Sequence, residues 1–387
     1  MNIAVFTKKT TFHSGYGGME TQNQALCEGL ARRGHSVTVF SPKWEVLKES
    51  EQMSGVDYEF VNCSFRSLAG FDYLDKNNWV NRSVGRFKVV NDRKKFDIVL
   101  AQSSAGLGII REKDELGIRV VSISHGSAAG EIRTRIQSLF SVRDWIKLIP
   151  DLAYFFLNFF RRQRVFVLNS DMVVAVSNAV KGALLDETFI PEDRVKVIYN
   201  GANLYAAGQI ETEKDIDVLY VGLVSKTKGL DDLAKALSEK FFSETKTVIV
   251  GEGDFLQELK YLAPGFEYLG RVEQDKVYEL MRRSKIFVLP SRRWEGLPMT
   301  LIEAAFMGLP AVGSDMGGIP EVIEDGKTGL VYKAGNIPQL IQRLSKVLSD
   351  EDLQAELARN AQENAQEKFS LDRMLDEYEK VMEKVLK

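Results

Sequence analysis

Glu295 and Glu303 flank the run Glu295-Gly-Leu-Pro-Met-Thr-Leu-Ile-Glu303. An ionised carboxylate accepts from two donors at once, so the paired hydroxyls of a ribose or a hexose suit it. Glu303 sits within Leu301-Ile-Glu-Ala-Ala-Phe-Met307, and a carboxylate in such apolar company needs a partner. The plain alternative for both is exposed charge on a loop and a helix surface. Between them, Pro298 suits a first helical turn because the amide hydrogen it lacks would go unpaired there anyway. Met299, Thr300 and Leu301 would then present amides, and with the helix dipole these attract phosphate.

Other residues offer matching chemistry. Lys226 and Lys228 follow the apolar run Asp217-Val-Leu-Tyr-Val-Gly222, where a lysine neutralises a diphosphate as a point charge or simply projects from a solvated turn. His125 ends the run Val120-Val-Ser-Ile-Ser124, at a loop position suited to hydrogen-bonding a hydroxyl or moving a proton near neutrality. Gly15-Tyr-Gly-Gly18 follows the first apolar run. It reads either as a turn that brings backbone close to a pyrophosphate or as a tight turn and nothing more. Its spacing is not that of a dinucleotide fingerprint, and no GxxxxGK[ST] loop supports phosphoryl transfer from ATP. Asp215-Ile-Asp217 has the spacing of an Asp-x-Asp metal motif but opens a strand, which disfavours metal.

These residues need a scaffold at whose edge they can meet. Asn2 to Thr7, a helix from Met19 to Arg33 and Ser36 to Phe40 read as one βαβ unit, followed by buried-strand runs at 96–101, 119–124, 171–177 and 195–200. A second alternation has strands at 217–222, 247–250, 267–270, 286–290, 310–313 and 329–332, with helices at 230–242 and 276–283 between them. The polar, small-residue stretch between Gly201 and Asp215 reads as a linker. The fold class is therefore α/β, with two Rossmann-like domains facing across a cleft and ligands expected at the carboxyl edges of the sheets. From Ile337 onward the chain is helix-forming, and its last apolar stripe, from Leu371 to Val385, needs a surface to cover.

Composition narrows the partners. Lys+Arg 51 against Asp+Glu 54 gives net −3, which offers no general attraction for a nucleic acid. Cys27 and Cys63 lack metal-ligand spacing and only three histidines are present, so no zinc site is expected and a reducing, cytoplasmic setting is the default. The amino-terminal apolar run is too short for a signal-peptide core, and no stretch is long and apolar enough for a spanning helix. The run Trp145 to Arg164 mixes aromatics, leucines and arginines. It suits either a membrane interface or a core or dimer contact.

In their order, these pieces resemble glycosyltransferase family 4, retaining enzymes of the GT-B fold that use nucleotide sugars. The resemblance rests on Gly17-Gly18-Met19-Glu20, Ser177, Val197-Ile-Tyr-Asn-Gly201, Val221-Gly222 through Lys228-Gly229, Val250-Gly-Glu-Gly253, Glu295 to Glu303, Gly317-Gly-Ile-Pro-Glu321 and Gly326-Lys-Thr-Gly329. It implies an acceptor-binding domain over residues 1–205, a nucleotide-sugar domain over 206–367 and a final helix, about 368–387, that crosses back onto the first. It implies that Glu303 holds the ribose hydroxyls and Glu295 the donor sugar's hydroxyls. Lys228 and the amides of Gly17, Gly18, Met299, Thr300 and Leu301 would meet the diphosphate. The backbone at Arg271 and Val272 would meet the base, and His125 would assist at the sugar. The implied reaction is transfer from a nucleotide sugar, by default a UDP-sugar, to a glycan or lipid-linked acceptor; no metal is required if the cationic and amide groups meet the departing charge, and a peripheral contact with the inner face of the membrane stays open.

One departure stands out. The family places Arg directly after the glycine of the Val-Gly loop, and here that residue is Leu223. Lys226 or an arginine such as Arg292 or Arg293 could compensate, or the leaving-group clamp is a weaker one. The gap keeps open a sugar-nucleotide-binding protein without turnover, and a GT-B epimerase or phosphorylase is a third option.

Overall fold

The computed structural model describes residues 1–14, 17–44, 48–64, 72–137, 156–202 and 213–387. The chain forms two compact units. The first comprises Met1–Ala129, Leu139–Gly201 and Leu371–Lys387, and the second Gly130–Ser138 and Ala202–Ser370.

The first unit is built on β1 (Asn2–Phe6), β2 (Ser36–Pro42), β3 (Ser50–Met53), β4 (Val56–Val61), β5 (Ile98–Gln102), β6 (Arg119–Ser124), β7 (Met172–Ala175) and β8 (Val195–Val197), in the order β3-β4-β2-β1-β5-β6-β7-β8. Runs such as Ile-Ala-Val-Phe are β-prone and buried along nearly their whole length, as a sheet covered on both faces requires. Phe6 and Phe40 stack across β1 and β2 with ring centroids 4.9 Å apart, and Phe87 and Phe96 extend the cluster. The expected all-parallel sheet needs one correction. β3 pairs antiparallel with β4 through the tight turn at Ser54-Gly55, giving the sheet a short hairpin edge.

The second unit has β9 (Ile216–Val221), β10 (Thr247–Val250), β11 (Glu267–Gly270), β12 (Ser284–Leu289), β13 (Ala311–Ser314) and β14 (Gly329–Tyr332), all parallel in the order β11-β10-β9-β12-β13-β14. The strand order reverses between β9 and β12, and loops leaving two such strands diverge to opposite faces and leave a crevice between them. The stretch expected as one helix over 230–242 is the helix Leu230–Leu237 followed by a short 3-10 turn at Lys240–Phe242.

The chain ends in two helices, Glu351–Lys368 in the second unit and Leu371–Leu386 in the first. On the last helix Leu371, Met374, Leu375, Tyr378, Val381 and Met382 are buried, so the stripe has found its surface on the helix Gly18–Arg32. Gly29 allows the close approach, since a Cβ there would fall 2.7 Å from Leu375 Cδ1. Arg33 pairs with Asp376 at 2.6 Å and with Glu379 at 2.8 Å, and His35 meets Glu379 at 2.8 Å. Such partly exposed pairs contribute about 0–1 kcal/mol each, so the buried stripe carries most of the docking. Among the described residues no helix is long and apolar enough to cross a membrane.

Candidate active site

The second unit gathers most of the expected residues at the carboxyl edge of its sheet. The loop after β9 carries Leu223, Lys226 and Lys228, and the loop after β12 carries Ser291 to Pro298, so both flank the switch point. Arg292 and Arg293 each donate a backbone N–H to the Thr227 carbonyl, at 2.9 and 2.8 Å, which ties the two loops together. Across this tie Lys228 Nζ donates to Glu295 Oε1 at 2.6 Å, and the Ser291 hydroxyl donates to the same oxygen at 2.7 Å. Both side chains of the ion pair are largely buried, at 16% and 13% exposure. Burial pushes the Glu295 carboxyl up, but the Lys228 charge and hydrogen bond, the Ser291 hydroxyl and the Arg293 charge outweigh it and hold it below its ordinary value. Glu295 is therefore ionised at neutral pH.

Its backbone is fixed from behind. Gly317 has φ +61, and a Cβ there would fall 2.1 Å from the Glu295 carbonyl oxygen, which also accepts the Gly318 N–H at 2.8 Å. Only glycine fits this left-handed, close-packed position.

The helix Met299–Phe306 begins one residue later than the sequence suggests, with Pro298 as its cap at ψ 116. Leu301 N–H already donates to the Pro298 carbonyl at 3.2 Å, so of the three expected amides those of Met299 and Thr300 are the open ones. No acidic residue lies in this first turn. One turn on, Glu303 is 5% exposed and its carboxylate receives a hydrogen bond from Gln274 Nε2 at 3.2 Å. Burial pushes its pKa up to about 7, and the single bond from Gln274 only partly offsets this. Gln274 opens the helix that follows β11, two residues beyond Val272, so Glu303 is tied to the start of that helix.

The cations near the departure at Leu223 have different fates. Leu223 is itself 54% exposed, and its carbonyl accepts the Tyr220 hydroxyl at 2.7 Å. Lys226 pairs with Glu258 at 2.8 Å and lies over the Phe255 ring. Arg292 turns inward to Asp232, donating from Nε at 2.8 Å, and to Asp231 at 3.0 Å, and is consumed there. Asp215 and Asp217, the Asp-x-Asp pair, are bound by Arg283, Lys246 and Lys285, an ion-paired strand entry. Among the described residues no group of three or more His, Cys, Asp or Glu side chains is arranged to hold a metal.

The first unit holds the remaining expected residues. His125 follows β6 and is half-buried, and its Nε2 lies 2.6 Å from Gln102 Oε1 at the end of β5. Gln102 Nε2 in turn donates to Asn23 Oδ1 at 2.8 Å. An amide oxygen only accepts, so His125 carries its proton on Nε2 and leaves Nδ1 open. Burial pushes the imidazole down to about 4, so it is neutral at physiological pH. The next helix, Ala128–Gln137, is capped by Glu187, which accepts the amides of Ala128 at 3.0 Å and Ala129 at 2.8 Å and thereby steadies the loop after His125.

Gly17 caps the helix Gly18–Arg32, and the Glu20 carboxylate lies against it, so that a Cβ on Gly17 would be 2.3 Å from Glu20 Oε2. Gly15 and Tyr16 lie outside the described residues, as do 145–155 of the aromatic run and 203–212 of the linker.

Sequence reasoning missed Ser291, Gln274, Gln102 and the support at Gly317. Ser291 stands four residues before Glu295 and Gln102 closes an apolar strand with a polar side chain, so both left a trace. Gln274 meets Glu303 only through the fold.

Two doubly wound units, one with a buried Lys–Glu pair and an apolar-flanked carboxylate at its switch point, define a two-domain α/β class whose ligands bind outside the carboxyl ends of the strands. Residues 205–367 match the family model described as "Glycosyl transferases group 1", and residues 16–205 that described as "Glycosyltransferase Family 4". Over 393 aligned residues the chain is 27% identical to an uncharacterized glycosyltransferase of Methanocaldococcus jannaschii, covering 96% of this chain and 95% of that one. Its fold is similar to that of a sucrose-phosphate synthase from Thermosynechococcus elongatus, with a TM-score of 0.82, 17% identity, and 99% and 98% of the two chains covered. It is also similar to an Anabaena protein solved in complex with UDP-glucose, with a TM-score of 0.73, 18% identity, and 99% and 100% covered. The chain belongs to glycosyltransferase family 4 and is a glycosyltransferase of the GT-B fold. Glycosyl transfer is the bond-forming step of glycan biosynthesis.

Proposed function

We propose that the protein is a retaining, metal-independent transferase that moves a sugar from a nucleotide sugar, by default a UDP-sugar, to a glycan or lipid-linked acceptor. The observation that carries this reading is the Lys228–Glu295–Ser291 cluster, whose loop leads into the helix that opens with the free amides of Met299 and Thr300 and carries Glu303 one turn on. Cleaving the bond from the anomeric carbon to oxygen leaves positive character on the sugar and negative charge on the diphosphate. Preorganised donors that meet that charge lower the barrier. Lys228 has two N–H bonds left after serving Glu295, and these with the two amides suit the phosphate oxygens. Ionised Glu295 accepts from sugar hydroxyls, and Glu303 from the ribose diol. Gln274 ties Glu303 to the helix start just beyond Arg271 and Val272, where the base would stack or hydrogen-bond. Neutral His125 offers its open Nδ1 to a sugar hydroxyl. Retention follows from attack on the face that the diphosphate leaves.

The test is a thermal-shift panel with UDP-, GDP- and ADP-sugars, because a ligand bound only by the folded state raises the melting temperature by mass action. A shift with one base family supports the reading, and no shift with any of them overturns the donor site. The anomeric configuration of the product, read by NMR, tests retention.

A second observation bears on the acceptor. Phe156 and Phe160 are 52% and 53% exposed, and arginines 161, 162 and 164 stand beside them, although Arg162 is committed to Asp72 at 2.6 Å. Aromatic side chains with neighbouring guanidinium groups suit an anionic membrane surface on the cytoplasmic side, where lipid-linked acceptors would be presented. Liposome co-sedimentation of F156S/F160S checks it, and undiminished binding removes the membrane contact.

A further inference from the structure

Glu295 is ionised and hydrogen-bonded to Lys228, so the pair sums to no net charge. A departing diphosphate therefore meets amide dipoles and a lysine already half-committed to a carboxylate. The residue after Gly222 adds nothing, being the exposed Leu223. Of the four cations on the loops after β9 and β12, Lys226 is held by Glu258 and Phe255, Lys228 by Glu295, and Arg292 by Asp231 and Asp232. Arg293 differs. Its backbone N–H is fixed to the Thr227 carbonyl at 2.8 Å, which anchors it beside the turn Lys226–Lys228. The residue is exposed, and among the described residues its guanidinium makes no hydrogen bond or ion pair. Its charge nevertheless reaches the Glu295 carboxylate.

We propose that Arg293 takes the place left by Leu223, its guanidinium binding the diphosphate of the donor beside Lys228. The proposal rests on the donor-site reading above. An arginine approaching from the loop after β12 does the work that the family assigns to the loop after β9, and its planar fork engages two phosphate oxygens at once, as a lysine cannot. The adjacent arginines divide the labour: Arg292 locks the loop against the helix Leu230–Leu237, and Arg293 stays exposed on the loop so held.

The test compares R293Q, R293K, K228Q and the double variant L223R/R293Q, with UDP, GDP and ADP and the matching monophosphates as probes in calorimetry, and with turnover on the donor found by the panel. For R293Q, loss of a charged hydrogen-bond partner predicts diphosphate binding weakened by on the order of tenfold or more and monophosphate binding changed by less than about twofold. R293K falls between, and L223R restores diphosphate binding in the R293Q background. Because charge builds on the diphosphate in the transition state, kcat falls more than KM rises. An unchanged melting temperature for R293Q shows that the loss is local. If K228Q loses diphosphate binding while R293Q keeps it, Arg293 is excluded and the donor site stands. If the wild type binds none of the three diphosphates, the donor-site reading falls and this proposal with it.

Discussion

Two helices in this molecule begin after a strand with a short run that could receive an anion, and they are electrostatic opposites. The helix Gly18–Arg32 opens on a glycine cap, but its first turn carries Glu20, whose carboxylate lies against Gly17. The helix Met299–Phe306 opens on a proline cap, has no acidic residue in its first turn, keeps two amides open, and has Lys228 and Arg293 on the neighbouring loops. A helix N-terminus is worth about 0.3–1 kcal/mol to an anion on an exposed surface. That modest attraction is opposed by a carboxylate in the first case; in the second the Lys228–Glu295 pair balances itself and the charge of Arg293 on the same loop is left over. Glycine after a strand is thus a weak sign of phosphate binding until the charges around it are known.

The sharpest way to break this comparison is K228Q. It removes a cation from the second helix start and strands the buried Glu295 carboxylate, so kcat should fall by about 10²–10³-fold in a donor-turnover assay. A loss under about threefold would mean that charge does not distinguish the two sites. G317A comes next. Its Cβ would collide with the Glu295 carbonyl at a position with φ +61, which should lower stability by about 1–3 kcal/mol and displace Glu295 enough to cost on the order of tenfold or more in kcat. Thermal melts and kinetics of the same preparation read both.

Glu303 gives a smaller, pH-coded effect. Burial raises its pKa from 4.5 to about 7, whereas a ribose diol donating to it favours the ionised form. Donor affinity should therefore rise about tenfold per pH unit up to about pH 7 and level off above it, and E303Q should flatten that slope. Calorimetry across the window checks it. The same shift acts on stability with the opposite sense. The folded state holds this proton more tightly than the unfolded state, so the stabilisation is complete below pH 4.5 and is lost as pH rises through about 7. E303Q should then melt higher than wild type at pH 8, by the equivalent of on the order of 3 kcal/mol, while binding donor more weakly. The smallest effect is E20Q. Relieving the carboxylate beside Gly17 should tighten diphosphate binding by no more than about fivefold if those amides meet phosphate, and a clear weakening would show instead that Glu20 itself holds ligand.

Much of the scaffold was legible because parallel sheets bury both faces and so write their strands as unbroken apolar runs. β1, β9 and β12 were found that way, as was the stripe of the last helix. β3 escaped since Ser-Glu-Gln-Met is polar and half-exposed, as an edge strand tends to be. At the site, Glu295 and Glu303 announced themselves by flanking an apolar run. What pairs with them did not: Lys228 and Glu295 are 67 residues apart and Gln274 and Glu303 are 29 apart, and no local rule joins them. The two arginines at 292 and 293 look alike in sequence, and only the acidic pair at 231 and 232 separates the structural one from the open one.

The docking of the last helix has a consequence for how the protein is made. Gly201 N–H donates to the Met374 sulfur, a partner 173 residues further along, and Leu26 and Leu30 lie on the helix that the final stripe covers. Domains tend to fold as they emerge from the ribosome, amino-terminal unit first. Here the unit translated first lacks part of its core until the entire second unit has been synthesised. During that interval the apolar surface that the last helix covers stays exposed, so the first unit completes its core only after the second has been made.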